Sequence, residues 1–490
     1  MRILLVCKGE YRYFFPAIAH SLREQYGATV SAVAFSSPAA RMLERTRAFE
    51  DVFNLAAWLR ERAGASNQEH CLDSLRKLEL MPGAVRVNTM VHADRIVSRR
   101  SEEQIIATLA GVIEFWEAIW TRKSFDAVIG EVACASEWIG WVTAYARALP
   151  YLIPCPTPVA NHFFFLDAPN GSWREMEAMF RGLKKRDLSN REASIAEGFL
   201  QVFRSQKAKP PFLHWAEHSP LVPEFSRLFR RMARVPFRIQ TYVADGKFEI
   251  GSHHGTVPWR PVLEDTARIL RHVAAEVMMF ERQIDPSHPS VYFPLHVQPE
   301  FTTDVRAPFF TNQPALVENI SKSVPVGYQV LVKEHPGMKG ERKLGYYHDL
   351  KRLHNVQLLS PSLDSHDLIQ MSDAVLTITG STAWAAILYE KPVIAFGPLC
   401  YEFFDLIYKC KNVADLPQVL SEAIERFVPD HELLLKLIWA FLESAHKLEW
   451  GDPVRQPQIV EKRNTTKIAD AILRELETRA VIRASETMLA

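Results

Sequence analysis

Ala374-Val-Leu-Thr-Ile378, then Thr379-Gly380-Ser381-Thr382, then Ala383-Trp-Ala-Ala-Ile-Leu-Tyr389 reads as a strand, a polar turn and a helix. A short apolar run closed by a turn is the pattern of a strand buried on both faces, and the alanine-rich stretch that follows has helical period. The unit recurs on either side. Strand Val291–Leu295 precedes a helix at Gln313–Ser323, and strand Gln329–Lys333 precedes one at Arg342–Leu353. Strand Val356–Leu359 leads to a helix at Ser365–Met371, strand Ala374–Ile378 to one at Thr382–Tyr389, and strand Val393–Phe396 closes the series. Parallel strands need crossover helices, so strict alternation specifies a doubly wound parallel sheet.

The same rhythm opens the chain. Strand Arg2–Val6 runs into the loop Lys8-Gly9-Glu10, a helix at Phe14–Gln25 and a strand at Ala28–Phe35, after which Ser37-Pro38 signals a helix start. A helix at Glu102–Trp120, a strand at Asp126–Gly130, a helix at Cys134–Ala146 and a strand at Pro150–Ile153 follow. Residues 67–101 fit no simple unit and are expected to be loop and irregular helix facing a ligand or acceptor. From Pro156 to Pro286 strand signals thin out, and helical stretches at Trp173–Lys185, Asn190–Arg204, Glu224–Ala233 and Pro261–Arg282 are punctuated by prolines. The expected architecture is α/β: two doubly wound domains facing a cleft, with a helical insertion. Residues 1–155 are expected to form the first domain, 156–286 the insertion, 287–428 the second domain and 429–490 a helical tail.

Composition sets the class. A chain of 490 residues exceeds what one core supports, and 48% hydrophobic with 23% charged residues is the balance of a globular enzyme. A net charge of +1 gives no global attraction to nucleic acid or membrane, so any electrostatic function is local. The six cysteines show no close pairing, which points to buried reduced thiols. The N-terminus is too quickly polar for a signal peptide and no run spans a bilayer, so a cytoplasmic location is expected. One patch qualifies that: Arg227, Arg230, Arg231 and Arg234 recur on one side of a helical stretch, with Phe225, Leu228, Phe229 and Met232 on the other. Such a helix can rest on the inner face of an anionic membrane, although an ordinary surface helix has the same pattern. Nucleic acid is not expected as a partner.

In open α/β sheets ligands sit beyond the carboxyl ends of the strands. In the second domain that rule selects His296, Gln298 and Glu300 after the first strand, and Lys333-Glu334-His335-Pro336 after the second. After the fourth it selects Thr379-Gly380-Ser381-Thr382. The last turn offers a glycine for close approach, two hydroxyls and a helix N-terminus, which together suit a phosphate; an N-cap without a ligand has the same sequence. A histidine fixed by a following proline, as His335 is, can donate to a phosphate or glycosyl oxygen. Glu300 or Glu334 is a candidate for holding sugar hydroxyls or a ribose. In the first domain Glu131 ends a strand and is the first candidate for a general base, with Glu10 the second. His253-His254 and His288 lack partners at metal-ligand spacing, so neither metal nor cofactor is expected.

The run from Tyr292 to Thr303, the Lys-Glu-His-Pro element, and the segment from Thr377 through Trp384 to Glu390-Lys-Pro-Val-Ile-Ala-Phe-Gly397 resemble the capsule polysaccharide biosynthesis family over roughly residues 285–400. That family includes Kdo transferases. The resemblance implies a GT-B type glycosyltransferase with two Rossmann-like domains, in which the His-Pro element and the Ser/Thr turn contact the nucleotide phosphate of a CMP-activated sugar. Carried over, it implicates His335 with Pro336, and Ser381 with Thr382. The family's carboxylate after the turn is replaced here by Ala383-Trp384-Ala385-Ala386. The implied activity is metal-independent transfer from a nucleotide sugar, a CMP-ulosonic acid ahead of a UDP-sugar, to a glycan or lipid-linked acceptor. An epimerase on the same scaffold and a catalytically silent nucleotide- or glycan-binding assembly protein stand as alternatives, and inverting and retaining outcomes are both open.

Overall fold

The computed structural model describes residues 1–64, 67–211, 235–248, 250 and 260–489, and its strands form two six-stranded sheets. The first holds β1 (Arg2–Cys7), β2 (Thr29–Ala34), β3 (Val52–Asn54), β4 (Ala127–Ile129), β5 (Tyr151–Pro156) and β6 (Phe163–Leu166) in the order β3-β2-β1-β4-β5-β6. The second holds β7 (Ser290–Pro294), β8 (Gln329–Lys333), β9 (Val356–Leu359), β10 (Ala374–Thr377), β11 (Val393–Ala395) and β12 (Ile407–Lys409) in the order β12-β11-β10-β7-β8-β9. All pairings are parallel except β5 with β6. The central strands are continuous apolar runs because both faces are covered: Ile3 to Val6 and Val330 to Val332 are wholly buried. The expected pair of doubly wound domains is what the chain forms.

Three strands depart from the expectation. β3 and β12 are three-residue edge strands, and β6 turns back antiparallel on β5, so the first sheet runs on to Leu166 rather than ending at residue 155. Phe163 to Leu166 are all buried, which draws that segment into the sheet instead of the helical insertion. Residues 67–101 are also more regular than expected. Helices Gln68–Glu79 and Val87–Ala93 form there, the first burying Cys71, Leu75 and Leu78 as it packs on helix Glu102–Arg122. The helix expected at Glu224–Ala233 lies outside the described residues.

The insertion and the tail hold the two sheets together. Helices Arg174–Leu183 and Asn190–Gln206 pack on helix His431–Ser444, whose Leu437, Ile438 and Phe441 are fully buried. The joint is aromatic: Trp173 stacks on Phe164 at 4.8 Å and meets Tyr401 at 5.2 Å, Trp384 at 5.7 Å and Phe441 at 5.9 Å. Beyond it the tail returns to the first domain. Helix Lys462–Leu489 lies along helix Tyr11–Tyr26, with Ser21 donating to Thr465 at 2.8 Å and Lys462 paired to Glu24. Ile459, Ile468 and Ile472 share one apolar cluster with Phe14, Phe15 and Ile18. Among the described residues no helix is long and apolar enough to cross a membrane.

Candidate functional site

In each sheet the chain leaves the two central strands in opposite directions, which opens a crevice at their carboxyl ends. In the first sheet these strands are β1 and β4. The loop after β1 contributes Lys8, Gly9 and Glu10, with Gly9 at a positive φ of 54° that favours glycine. The loop after β4 contributes Gly130 and Glu131. A Cβ at Gly130 would lie 2.5 Å from the Val6 Cβ, so only glycine lets the strands close beneath the site.

Glu131 is half-buried and held from behind. The Tyr11 hydroxyl donates to its Oε1 at 2.5 Å, and Trp450 of the tail donates its indole N–H to that same Tyr11 oxygen at 3.1 Å. Lys8 is buried and donates to Glu137 Oε2 at 3.2 Å, as does the Ala133 amide at 2.8 Å. Burial and then the neighbouring Glu137 push Glu131 above the usual carboxylate range, while Tyr11 and Lys8 pull the other way. A carboxylate with a raised pKa at a crevice floor is suited to taking a proton from a hydroxyl. Glu10, the second candidate, stands at the start of helix Tyr11–Tyr26 in the adjoining loop.

In the second sheet the crevice lies between β7 and β10, and the predicted residues divide into two groups. The first is structural. His296 is buried, with Nε2 3.0 Å from Thr377 Oγ1 and facing the amides of Ile378 and Thr379 at 3.3 and 3.4 Å. It therefore ties the ends of β7 and β10 together rather than opening to a ligand, and burial pushes it down to about 3. Gly380 serves the same knot. A Cβ there would come within 2.9 Å of both His296 Nε2 and Thr377 Oγ1, so the glycine admits the imidazole and not, as expected, a ligand. Glu334 is fully buried, accepting from Arg342 Nε at 2.9 Å, Tyr347 at 2.7 Å and the His335 amide at 2.6 Å, which leaves it no face for a sugar. Lys333 is buried and donates to Ser365 at 2.7 Å. Gln298 lies within the loop framework, donating to Asp304 and to the Thr311 carbonyl, each at 2.7 Å.

The second group, His335, Ser381, Thr382 and Glu300, is half-buried in the loops at the carboxyl ends of the strands. His335 precedes the single turn Pro336–Met338, and its Nδ1 accepts the Gly337 amide at 3.0 Å. That bond places the proton of the neutral ring on Nε2. Burial and then Lys333 push His335 down to about 4, so near neutral pH it is an uncharged donor. In the turn after β10 Thr379 donates to the Thr302 carbonyl at 3.2 Å, and Ser381 and Thr382 are half-buried at the start of helix Thr382–Leu388. Glu300 is half-buried in the loop after β7; burial raises it, and Arg95, Thr302 and Arg306 draw it back.

The two crevices share one field, since Glu300 is among the charges that act on Glu131. The contact is direct as well. Arg95 Nε of the first domain donates to the Pro299 carbonyl of the second at 2.8 Å, and Trp138 meets Phe301 with ring centroids 6.0 Å apart. Arg95, Arg306, Lys8, Tyr11 and Trp450 had not been singled out as site residues. Lys8 belongs to the first βα loop and Tyr11 directly follows it, but Trp450 reaches the site only through the fold. Among the described residues no three His, Cys, Asp or Glu side chains cluster as a metal site. Arg227, Arg230, Arg231 and Arg234, which form either a membrane-facing patch or an ordinary surface helix on the sequence pattern, lie outside the described residues, as do His253 and His254.

Residues 308–414 match the family model described as capsule polysaccharide biosynthesis protein. No curated protein matches the chain. Among solved structures, the Thermosulfurimonas dismutans KpsC beta Kdo 2,4 transferase is 13% identical over 64% of this chain and 79% of its own, with a TM-score of 0.35. Anabaena Alr3699/HepE in complex with UDP-glucose is 11% identical over 97% of this chain and all of its own, with a TM-score of 0.32. The Neisseria meningitidis UDP-GlcNAc 2-epimerase is 10% identical over 97% and 100%, with a TM-score of 0.29. Overlaps this loose carry no argument, and the fold rests on the strand order above. The matched segment, running from the end of the β7 loop past β12, is similar to the capsule polysaccharide biosynthesis family and lies in the second of the two doubly wound α/β domains.

Proposed function

We propose that the protein is a glycosyltransferase of capsule or surface-polysaccharide synthesis, with its nucleotide-sugar donor in the second domain and its acceptor against the first. The observation that carries this reading is that the strand-end loops of the two domains meet directly, Arg95 donating to the Pro299 carbonyl beside Glu300 and Trp138 packing on Phe301, with Glu131 among the first domain's strand-end residues. Transfer needs a base for the acceptor hydroxyl and donors for the departing nucleotide phosphate. Glu131 supplies the first. The neutral Nε2–H of His335, the hydroxyls of Ser381 and Thr382 and the guanidinium of Arg306 supply the second. A CMP-linked ulosonic acid is placed ahead of a UDP-sugar on the family pattern, and the acceptor is a glycan or a lipid-linked glycan.

The test is a thermal-shift screen of CMP, CDP, UMP, UDP and GDP against wild type and His335→Ala. A rise in melting temperature with CMP, lost in the variant, is the expected result. A selective response to UDP would keep the transferase and replace the donor, and no response to any nucleotide would overturn the reading. With the donor in hand, His335→Ala is expected to lower turnover roughly a hundredfold, in line with the ~3 kcal/mol a leaving-group donor commonly contributes.

A further inference from the structure

The tail reaches the first domain's strand ends through directed hydrogen bonds as well as packing. Two clamps set its path. At His446 it pairs main chain to main chain with Phe163 of β6, at 3.0 and 2.9 Å. At Glu449 it is held by Asn464 of helix Lys462–Leu489, whose side chain accepts from the Glu449 amide and donates to the Glu449 carbonyl, both at 2.9 Å. Trp450 follows, stacked on Phe163 at 4.8 Å and edge-on to Phe14 at 5.1 Å. Its indole N–H donates to the Tyr11 oxygen at 3.1 Å, and the Tyr11 hydroxyl donates to Glu131 Oε1 at 2.5 Å. An indole N–H can only donate, and a phenol carries one proton. The chain of bonds therefore runs one way, from Trp450 through Tyr11 to Glu131.

We propose that Trp450 is a positioning residue for Glu131, acting through Tyr11 so that the C-terminal tail holds this carboxylate in its charged, proton-accepting form. The inference rests on the reading of Glu131 as the base. A hydrogen bond received by the Tyr11 oxygen polarises its O–H, which then gives the stronger bond to the carboxylate. That bond opposes burial and the neighbouring Glu137, both of which favour the protonated form. The other groups facing Glu131 are Lys8 of the first loop, Glu300 of the second domain and Tyr151 of β5, whose hydroxyl donates to the Glu131 carbonyl at 3.5 Å. Trp450 differs from all of them in coming from beyond residue 429, in a segment that returns to the first domain only after the second is complete.

The bonds are read in the full-length protein by following the indole N–H signals of isotope-labelled tryptophan with pH. Ionised Glu131 makes the Tyr11 oxygen the richer acceptor, so one indole proton is expected to move downfield as pH rises through the Glu131 titration. The movement should vanish in Glu131→Gln and in Tyr11→Phe, which identifies the signal without altering Trp450. In turnover, Trp450→Phe keeps an aromatic ring and removes the N–H. Its acid limb should move to higher pH, by less than in Tyr11→Phe, and adding it to Tyr11→Phe should move the limb no further. A residue that only packs would add its effect in the double variant. With Glu131→Gln inactive, indole signals that stay flat in wild type, or additive shifts, would overturn the role of Trp450 and leave the base in place. A Glu131→Gln enzyme with full turnover would remove the base and this inference together.

Discussion

Tyr11 donates to Glu131 and so stabilises the charged carboxylate, while burial and Glu137 favour its protonated form. Removing the hydroxyl in Tyr11→Phe therefore raises the Glu131 pKa. The base form then appears only at higher pH, and the acid limb of the pH–rate profile is expected to move up by about one unit, the scale of one hydrogen bond to a charge. Glu131→Gln should remove turnover at every pH while leaving nucleotide-induced thermal shifts intact. An active Glu131→Gln enzyme would move the base elsewhere, with Glu10 next in line. A second residue argument concerns packing alone. Gly380→Ala sets a methyl carbon 2.9 Å from both His296 Nε2 and Thr377 Oγ1, inside a knot with no room to yield. Overpacking of this kind costs about 1–3 kcal/mol, which urea denaturation would read as a lower midpoint at unchanged slope.

Helix His431–Ser444 is capped by Asp430, whose carboxylate accepts the Leu433 amide at 2.8 Å, and it presents Phe441 to both domains. Phe441 lies 5.0 Å from Trp384, 5.9 Å from Trp173 and 6.0 Å from Phe164. Phe441→Ala is thus expected to cost about 3–5 kcal/mol and to loosen the joint, splitting one thermal transition into two in calorimetry. Helices like this one were legible because their apolar spacing is long and regular, and the central strands because burial on both faces leaves unbroken apolar runs. β3 and β12 escaped since three-residue edge strands carry too little pattern, and β6 because its Phe-Phe-Phe-Leu run lay beyond an assumed boundary. The site was legible as a set of loops but not as a set of roles. Sequence puts Glu334 and His335 side by side at a strand end; only the fold turns Glu334 inward onto Arg342 and Tyr347 while His335 keeps its Nδ1 on Gly337. Trp450 had no local signal, because its use depends on a tail returning to the first helix.

At the scale of the whole molecule the tail is part of the first domain's core. Trp450 stacks on Phe163 at 4.8 Å and meets Phe14 at 5.1 Å, so a chain ending at residue 445 would expose that cluster and is expected to be recovered aggregated. The acid response of the folded chain follows from the two histidines of the second crevice. His296 and His335 are pushed down to about 3 and about 4, against about 6.5 in an unfolded chain. Between those values the unfolded state binds protons that the native state refuses, so their contribution is complete above about pH 6.5 and is lost as pH falls towards 4 and then 3. Glu131, Glu300 and Glu334 act in the opposite sense: raised in the native state, they take up protons before the unfolded chain does and offset part of the loss. The histidine share is isolated by difference. His296→Gln removes one titrating group, so its urea midpoint should be lower than wild type at pH 7, with the gap narrowing steadily towards pH 4. A gap that stays constant across that range would mean that His296 titrates alike in both states and that burial at the β7–β10 knot does not exclude its proton.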